Sequence, residues 1–442
     1  MSLRARRYGF GLLAVLGAFA GIAGSAPQLA AAAAGQAISG LDAAELLMQT
    51  GRLDDAKRVL GTLERTAPKN VQVQFLAGLI ALQEQNYAQA ITRFRRILSE
   101  HPDLARVRLE LARAFYLAKK YDNAERQFRF ARAGNLSVAV KARIDTYLAA
   151  IRQARTLTYS GSLAIVPDTN INAGPSLSSV TLYGLLFQLA PGARASSGVG
   201  IAANGSFDWS PHPENMLRFR LGGQLDTLDY PNHEFDDTSL GGYAGPRLLF
   251  GRLDVSLLAT MFQRWYGDRP YNTGVGVSVP VLYSLTPRLG VTASLSVLSM
   301  RYVAPPGQDG LARSASLGLV STLDTSSQAS LVASVTRQDA ALTAYAYTAR
   351  QLQLTYLRDL PAGFTASVSP AYLTLDYDGG LVAFGQARRD TQWRLGVTVL
   401  NRRIDLSGFT PRLSYTHTDN RSDLAFYAYH RDQWMVGLTR AF

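Results

Sequence analysis

The chain has 442 residues, with 45 lysines and arginines against 33 aspartates and glutamates, for a formal net charge of +12. It has no cysteine, which excludes a disulfide framework, a thiolate metal site and an acceptor for a lipid anchor. After the N-terminal segment no stretch offers the roughly 18 consecutive apolar residues of a spanning helix, so passage through a membrane would require a barrel.

In chain order, the first element is a leader. Arg4, Arg6 and Arg7 precede the apolar run "GLLAVLGAFAGIAG", and the small residues of "SAPQLAAAAAGQA" follow. Charge, grease and small residues in that order predict a secretory signal with its small-residue segment over residues 1–34. The remaining charge is uneven. Residues 36–155 carry 20 basic and 12 acidic side chains, residues 156–442 carry 22 and 21, and every lysine falls in the first of these blocks. A basic patch would suit nucleic acid, but an exported chain rarely meets any; a solvated helical surface or attraction to an acidic partner is expected instead.

Residues 35–155 contain a repeat. "GRLDDAKRVL", "QNYAQAITRF" and "KKYDNAERQF" align without gaps, and Ala56, Ala90 and Ala124 stand 34 residues apart, as do Ala44, Gly78 and Ala112, and Pro68 and Pro102. Small residues at a helix crossing permit close approach, Leu60, Phe94 and Phe128 fill the gap beyond it, and proline ends each unit. This pattern resembles the tetratricopeptide-repeat family over roughly residues 37–140. The family's early tryptophan is not matched: Gly40, Gln74 and Arg108 stand there. The resemblance implies a periplasmic domain that presents the first helix of each pair to another polypeptide. Its client-binding groove would be lined by Gln72, Phe75, Leu79 and Gln83 in the second repeat and by Arg106, Leu109, Arg113 and Tyr116 in the third.

From residue 156 the helical period gives way to alternation. In "RQLQLTYL" Leu352, Leu354 and Tyr356 oppose Gln351, Gln353 and Thr355, and in "NMLRFRLGGQLD" Leu217, Phe219 and Leu221 oppose Arg218 and Arg220. Short turns such as "FGRLD", "LTPRLG" and "NRRID" alternate with longer polar connections at 167–197, 304–310 and 377–389. One short end and one long end is the layout of an outer-membrane barrel. Fourteen antiparallel strands are expected, starting near residues 157, 198, 215, 237, 252, 271, 288, 311, 327, 345, 363, 389, 404 and 426. A preceding periplasmic domain requires an even number. The fold class is thus a helical repeat array followed by a 14-stranded transmembrane β-barrel. The chain closes with "RDQWMVGLTRAF", where Trp434, Val436, Leu438 and Phe442 share one parity. The terminal aromatic resembles the signal by which such barrels are recognised for assembly, which makes the barrel-assembly machinery an expected partner.

Repeats leading into a barrel, with "VPDTNINAG" after the first strand and "LTRAF" at the end, are similar to the surface lipoprotein assembly modulator (Slam) family. The resemblance implies an outer-membrane secretion channel whose repeats capture a client, a surface lipoprotein or small secreted protein delivered by a periplasmic chaperone, and whose barrel helps bring it to the surface. A polysaccharide exporter and a porin with a docking domain are the alternatives. Asp168, Asn170 and Asn172 echo a calcium loop, but the glycine and distant glutamate that complete one are missing, so turn chemistry is expected. The five histidines lack ligand spacing, and no phosphate loop, H-E-x-x-H or G-x-S-x-G is present. Neither an enzyme nor a cofactor is suggested. Outer-membrane lipid is the remaining partner, and no nucleic acid is expected.

Overall fold

The computed structural model describes residues 40–211, 215–404, 406 and 408–440; the expected leader and Phe442 lie outside the described residues. Among these residues there are seven α-helices: α1 (Gly40–Gln49), α2 (Leu53–Thr66), α3 (Val71–Gln83), α4 (Tyr87–Glu100), α5 (Ala105–Leu117), α6 (Tyr121–Ala133) and α7 (Val138–Ala154). No described helix is long and apolar enough to cross a membrane. The chain divides after Arg93 into two compact units.

The first unit is built on a core of Ala44, Met48, Ala56, Leu60, Val73, Leu76 and Ile80. Asn70 caps α3, its side-chain oxygen accepting from the backbone N–H of Gln72 and Val73 at 2.9 and 3.2 Å. In the second unit α5 and α6 meet through Ala112, Ala124 and Phe128, each fully buried, and Tyr147 of α7 stacks on Phe128 with ring centroids 4.8 Å apart. The positions that recur every 34 residues are therefore the helix-packing positions in both units. At the positions of Ala44, Ala56, Ala112 and Ala124, each fully buried, a larger side chain would force the backbones apart.

The strands begin three residues after α7. They are β1 (Leu157–Asp168), the separate hairpin β2 (Ser179–Leu182) and β3 (Leu185–Gln188), then β4 (Gly198–Trp209), β5 (Leu217–Asp229), β6 (Asp237–Phe250), β7 (Leu253–Ser256), β8 (Leu258–Tyr266), β9 (Arg269–Ser284), β10 (Leu289–Tyr302), β11 (Gly310–Thr322), β12 (Ser327–Gln338), β13 (Tyr347–Asp359), β14 (Phe364–Leu381), β15 (Gln386–Asn401), β16 (Thr410–Ser422) and β17 (Tyr429–Arg440). β7 and β8 both pair with β6 and β9 and are one strand interrupted at Leu257. With those two merged, fourteen antiparallel strands form a closed wall, because β17 pairs with β1 in the register Leu163↔Leu438 and Ile165↔Val436. Closure satisfies the backbone groups that hydrocarbon cannot.

Leu163, Ile165 and Val436 are 58%, 57% and 56% exposed and mark the outward face on both sides of this seam. The opposite parity turns inward and is polar. Ser160 and Ser206 bond at 2.7 Å, Ser162 donates to Asn204 at 3.0 Å, and Asn204 donates to Asp226 at 2.7 Å. Gly437 is required at the seam, since a Cβ there would stand 2.0 Å from the carbonyl oxygen of Leu163.

The observed strands differ from expectation in two places. The strand expected near 404 starts at Thr410, because Leu406 and Phe409 exchange backbone hydrogen bonds of 2.8 and 3.1 Å and close a turn on themselves, with Gly408 at φ 92°. The polar connection after β1 holds the β2–β3 hairpin, whose turn residues Tyr183 and Gly184 both take positive φ, the geometry of a tight hairpin turn.

Candidate functional site

The second unit joins helices to barrel through one buried carboxylate. Asp359 ends β13 and is 3% exposed. Arg108 of α5 donates to it at 3.1 Å, Arg126 of α6 at 2.9 Å, the Thr365 hydroxyl at 3.0 Å, and Arg402 of the β15–β16 connection pairs with it as well. Arg108 and Arg126 both lie over the Phe130 ring, at 5.0 and 5.3 Å from its centroid. Arg108 is held further by Pro102 O at 2.8 Å and Gln127 Oε1 at 2.8 Å. Burial first, and then repulsion from Arg402, pull the Arg126 guanidinium below the ordinary arginine value, while Asp359 opposes them.

Three guanidinium groups on one carboxylate leave a positive excess, and such a buried group is strongly destabilised when its counter-charge is removed. Arg108 stands at the position where the repeat pattern would place tryptophan. In the second repeat the equivalent Gln74 donates to Pro68 O at 3.2 Å and accepts from Arg93 at 3.1 Å, so the local bonding is kept with donor and acceptor residues exchanged. The departure is visible in the sequence, but the partner of Arg108 is not. The signal was there: a charged residue at a core position needs a partner.

Other contacts spread the docking around the same barrel end. Arg288 donates to Ala133 O at 2.7 Å, Arg152 to Gly251 O at 3.4 Å, and Arg218 to Gln153 O at 3.3 Å. A Cβ on Gly134 would meet Thr325 at 2.7 Å. The helices α5 to α7 thus rest on the end of the barrel that carries the short connections.

The expected groove residues have diverse environments. In α3, Gln72 is exposed and donates to Glu45 at 2.8 Å, Gln83 is exposed, Phe75 is buried, and Leu79 packs on the first unit's core. In α5, Arg106 is exposed and Leu109 half-buried. Arg113 donates to Glu110 at 2.7 Å. Burial lowers its pKa, but Glu110 and Tyr147 outweigh burial and hold the group above its ordinary value. Tyr116 sits between Tyr121 at 5.9 Å and Tyr147 at 5.1 Å. Tyr116 is therefore part of the packing between helices as well as of the surface.

At the far end of the barrel the Asp-x-Asn-x-Asn stretch ties the seam. The Asp168 side chain is fully buried and accepts from Asn170 N at 2.8 Å, Tyr230 OH at 2.9 Å, Arg431 Nη2 at 2.6 Å and Gln433 Nε2 at 2.7 Å. Asn170 donates to Gly174 O and His430 O at 2.8 and 3.0 Å, and Asn172 to Gly192 O and Arg194 O at 3.0 and 2.7 Å. These bonds fix β1 to β17, and the hairpin of the first connection reaches the connection after β14, where Tyr183 N donates to Ala383 O at 3.0 Å. Turn bonds within a few residues are present, from Asn170 N to Asp168 and from Gly174 N to Asn170 and Asn172, but Asp168 also holds Arg431 and Gln433 across the seam. His233, Asp236 and Asp268 bring potential ligand atoms within 4.8 Å of one another. Both Asp236 oxygens are already engaged, by Tyr230 N at 2.6 Å and by His233 at 2.8 Å, and the latter bond chiefly raises the His233 pKa.

Of the expected assembly signal, Trp434, Val436 and Leu438 lie on the outward face of β17, and Trp434 packs on Tyr415 with centroids 4.6 Å apart.

A family model described as Surface lipoprotein assembly modifier matches residues 161–442, and one described as Surface lipoprotein assembly modifier, N-terminal TPR repeats, matches residues 44–128. The chain is similar to the surface lipoprotein assembly modifier of Pasteurella multocida strain Pm70, with 21% identity over 402 residues covering 86% of this chain and 78% of that one. It is similar to the Moraxella catarrhalis protein of the same description, with 24% identity over 400 residues covering 85% and 75%. Among solved structures it is similar to a Pseudomonas aeruginosa FadL homologue, at 8% identity and a TM-score of 0.38, covering 64% of this chain and 89% of that one.

Proposed function

The chain belongs to the surface lipoprotein assembly modifier family, and we propose that it is an outer-membrane barrel that helps deliver a client, a surface lipoprotein or small secreted protein, to the cell surface. The observation that carries this reading is the Asp359 cluster. It fastens α5 and α6 to the short-connection end of a closed 14-stranded barrel, so a polypeptide held by the helices stands at the barrel's entrance. Short connections are the periplasmic feature of outer-membrane barrels, which supports placing the helices in the periplasm, with residues 35–155 as the capture domain and 156–442 as the barrel. A periplasmic chaperone would hand over the client, and the barrel-assembly machinery would insert the chain. Delivery and client folding outside would supply direction.

The test is surface labelling of products of neighbouring genes in cells with and without this protein. A small β-rich product that reaches the surface only in its presence supports the reading. Unchanged display of all such products, with loss of a surface polysaccharide, would redirect it to sugar export.

A further inference from the structure

Beside the Asp359 cluster a crevice of 280 Å³ opens between the α5–α6 turn and the foot of the β1–β17 seam. Its described lining holds eight arginines and lysines against two carboxylates. Both carboxylates are committed: Asp359 to the three arginines above, and Asp122 to Arg155 at 3.2 Å. Positive charge is left over in the Asp359 cluster itself and at the rim, where Lys119, Lys120 and Arg403 are exposed.

The floor faces outward. Leu157 and Tyr159 have the parity of membrane-facing Leu163 and Ile165 and are 50% and 52% exposed. Arg440 has the parity of Val436 and Leu438; it donates to Tyr159 OH at 2.8 Å and lies over the Tyr159 and Phe409 rings at 5.0 and 5.7 Å. An arginine on the lipid-facing side of a strand end, flanked by aromatic rings, sits at headgroup level.

We propose that this crevice binds the phosphodiester headgroup of an anionic phospholipid, whose acyl chains lie along Leu163, Val436 and Leu438 at the closing seam. Charge selects an anion, and the outward floor selects a lipid over a soluble polypeptide, since apolar surface continues from the crevice up the barrel wall. The bound lipid would seat α5 and α6 against the leaflet in which a lipidated client arrives. That role rests on the periplasmic placement proposed above.

The full chain would be assembled in nanodiscs of phosphatidylcholine with a minor fraction of cardiolipin, and retained lipid counted by native mass spectrometry after detergent exchange. Wild type should retain cardiolipin. The Lys119→Gln/Lys120→Gln/Arg403→Gln variant should hold it on the order of a hundredfold more weakly, from about one kcal/mol for each basic group near a lipid surface, and the corresponding glutamate triple variant more weakly still. Variants are compared only as assembled, heat-modifiable barrels, and the milder glutamine set serves if the reversals do not assemble. Equal retention by wild type and variant overturns the proposal, as does equal retention of phosphatidylcholine. Displacement by millimolar inorganic phosphate would make the site one for free phosphate, and displacement by polyglutamate one for an acidic polypeptide; either result overturns the lipid assignment. Sidedness is read separately, from labelling of Lys119→Cys in intact cells, because the chain has no other cysteine. Failure of the topology and failure of lipid binding are thereby distinguished.

Discussion

Replacing Asp359 by asparagine tests whether one carboxylate holds the helices to the barrel. The substitution keeps the side chain's size and an acceptor for Thr365, but removes the charge faced by Arg108, Arg126 and Arg402, which are 2%, 14% and 18% exposed. Removing one partner of a buried pair costs about 3–5 kcal/mol, because the charge left behind is unpaired and poorly hydrated. Arg126 and Arg402 keep some access to water, which places the expected loss at about 3 kcal/mol. At about 1.4 kcal/mol per factor of ten, the undocked population should rise by on the order of a hundredfold. Proteolysis of a transiently opened segment follows that population when reclosing is fast. Trypsin cleavage within α5 and α6 should therefore accelerate by a similar factor in detergent, while the heat-modifiable barrel band persists. Combining Asp359→Leu with Arg108→Met, Arg126→Met and Arg402→Met should recover much of the loss, because an apolar set removes the unpaired charges. An acceleration below about threefold in Asp359→Asn would refute the reasoning and assign docking to the contacts at Ala133, Gly251 and Gln153.

Gly437→Val should prevent closure of the seam, given the 2.0 Å approach to Leu163 O, and the heat-modifiable band should be lost on gel analysis; normal assembly would mean that β17 shifts to make room. Asp168→Asn, which leaves Arg431 without its buried counter-charge, should weaken the end of the seam remote from the helices by about 3 kcal/mol. A lower temperature for disappearance of the folded band checks this, and an unchanged temperature contradicts it. Arg106→Ala with Arg113→Ala, sparing Tyr116 for its contacts with Tyr121 and Tyr147, should reduce client pull-down about tenfold at normal helicity. Undiminished capture would locate the client surface elsewhere.

Local chemistry repeated at a fixed spacing is legible in one dimension. The 34-residue recurrence of Ala56, Ala90 and Ala124 reports helix crossing, and alternation such as Leu352 and Leu354 against Gln351 and Gln353 reports a strand with a greasy and a wet face. The number of strands also follows, because each hairpin carries its own turn signal. The sequence alone likewise signals a turn directly after Asp168, since side chains such as Asp168 and Asn170 bond the backbone within a few residues.

Pairing between distant groups is a different matter. Nothing in the residues around Arg108 names Asp359, 251 positions away. Nor does Asp168 announce Arg431 and Gln433 at the other end of the barrel strands. Those partners meet only when closure of the sheet fixes which turns and strand ends adjoin, and the same closure brings Tyr159 and Arg440 together. Tertiary structure also determined that Phe75 and Leu79 belong to or pack on the core, because an apolar residue on a helix can face a groove or a neighbour, and only the neighbour's position distinguishes them.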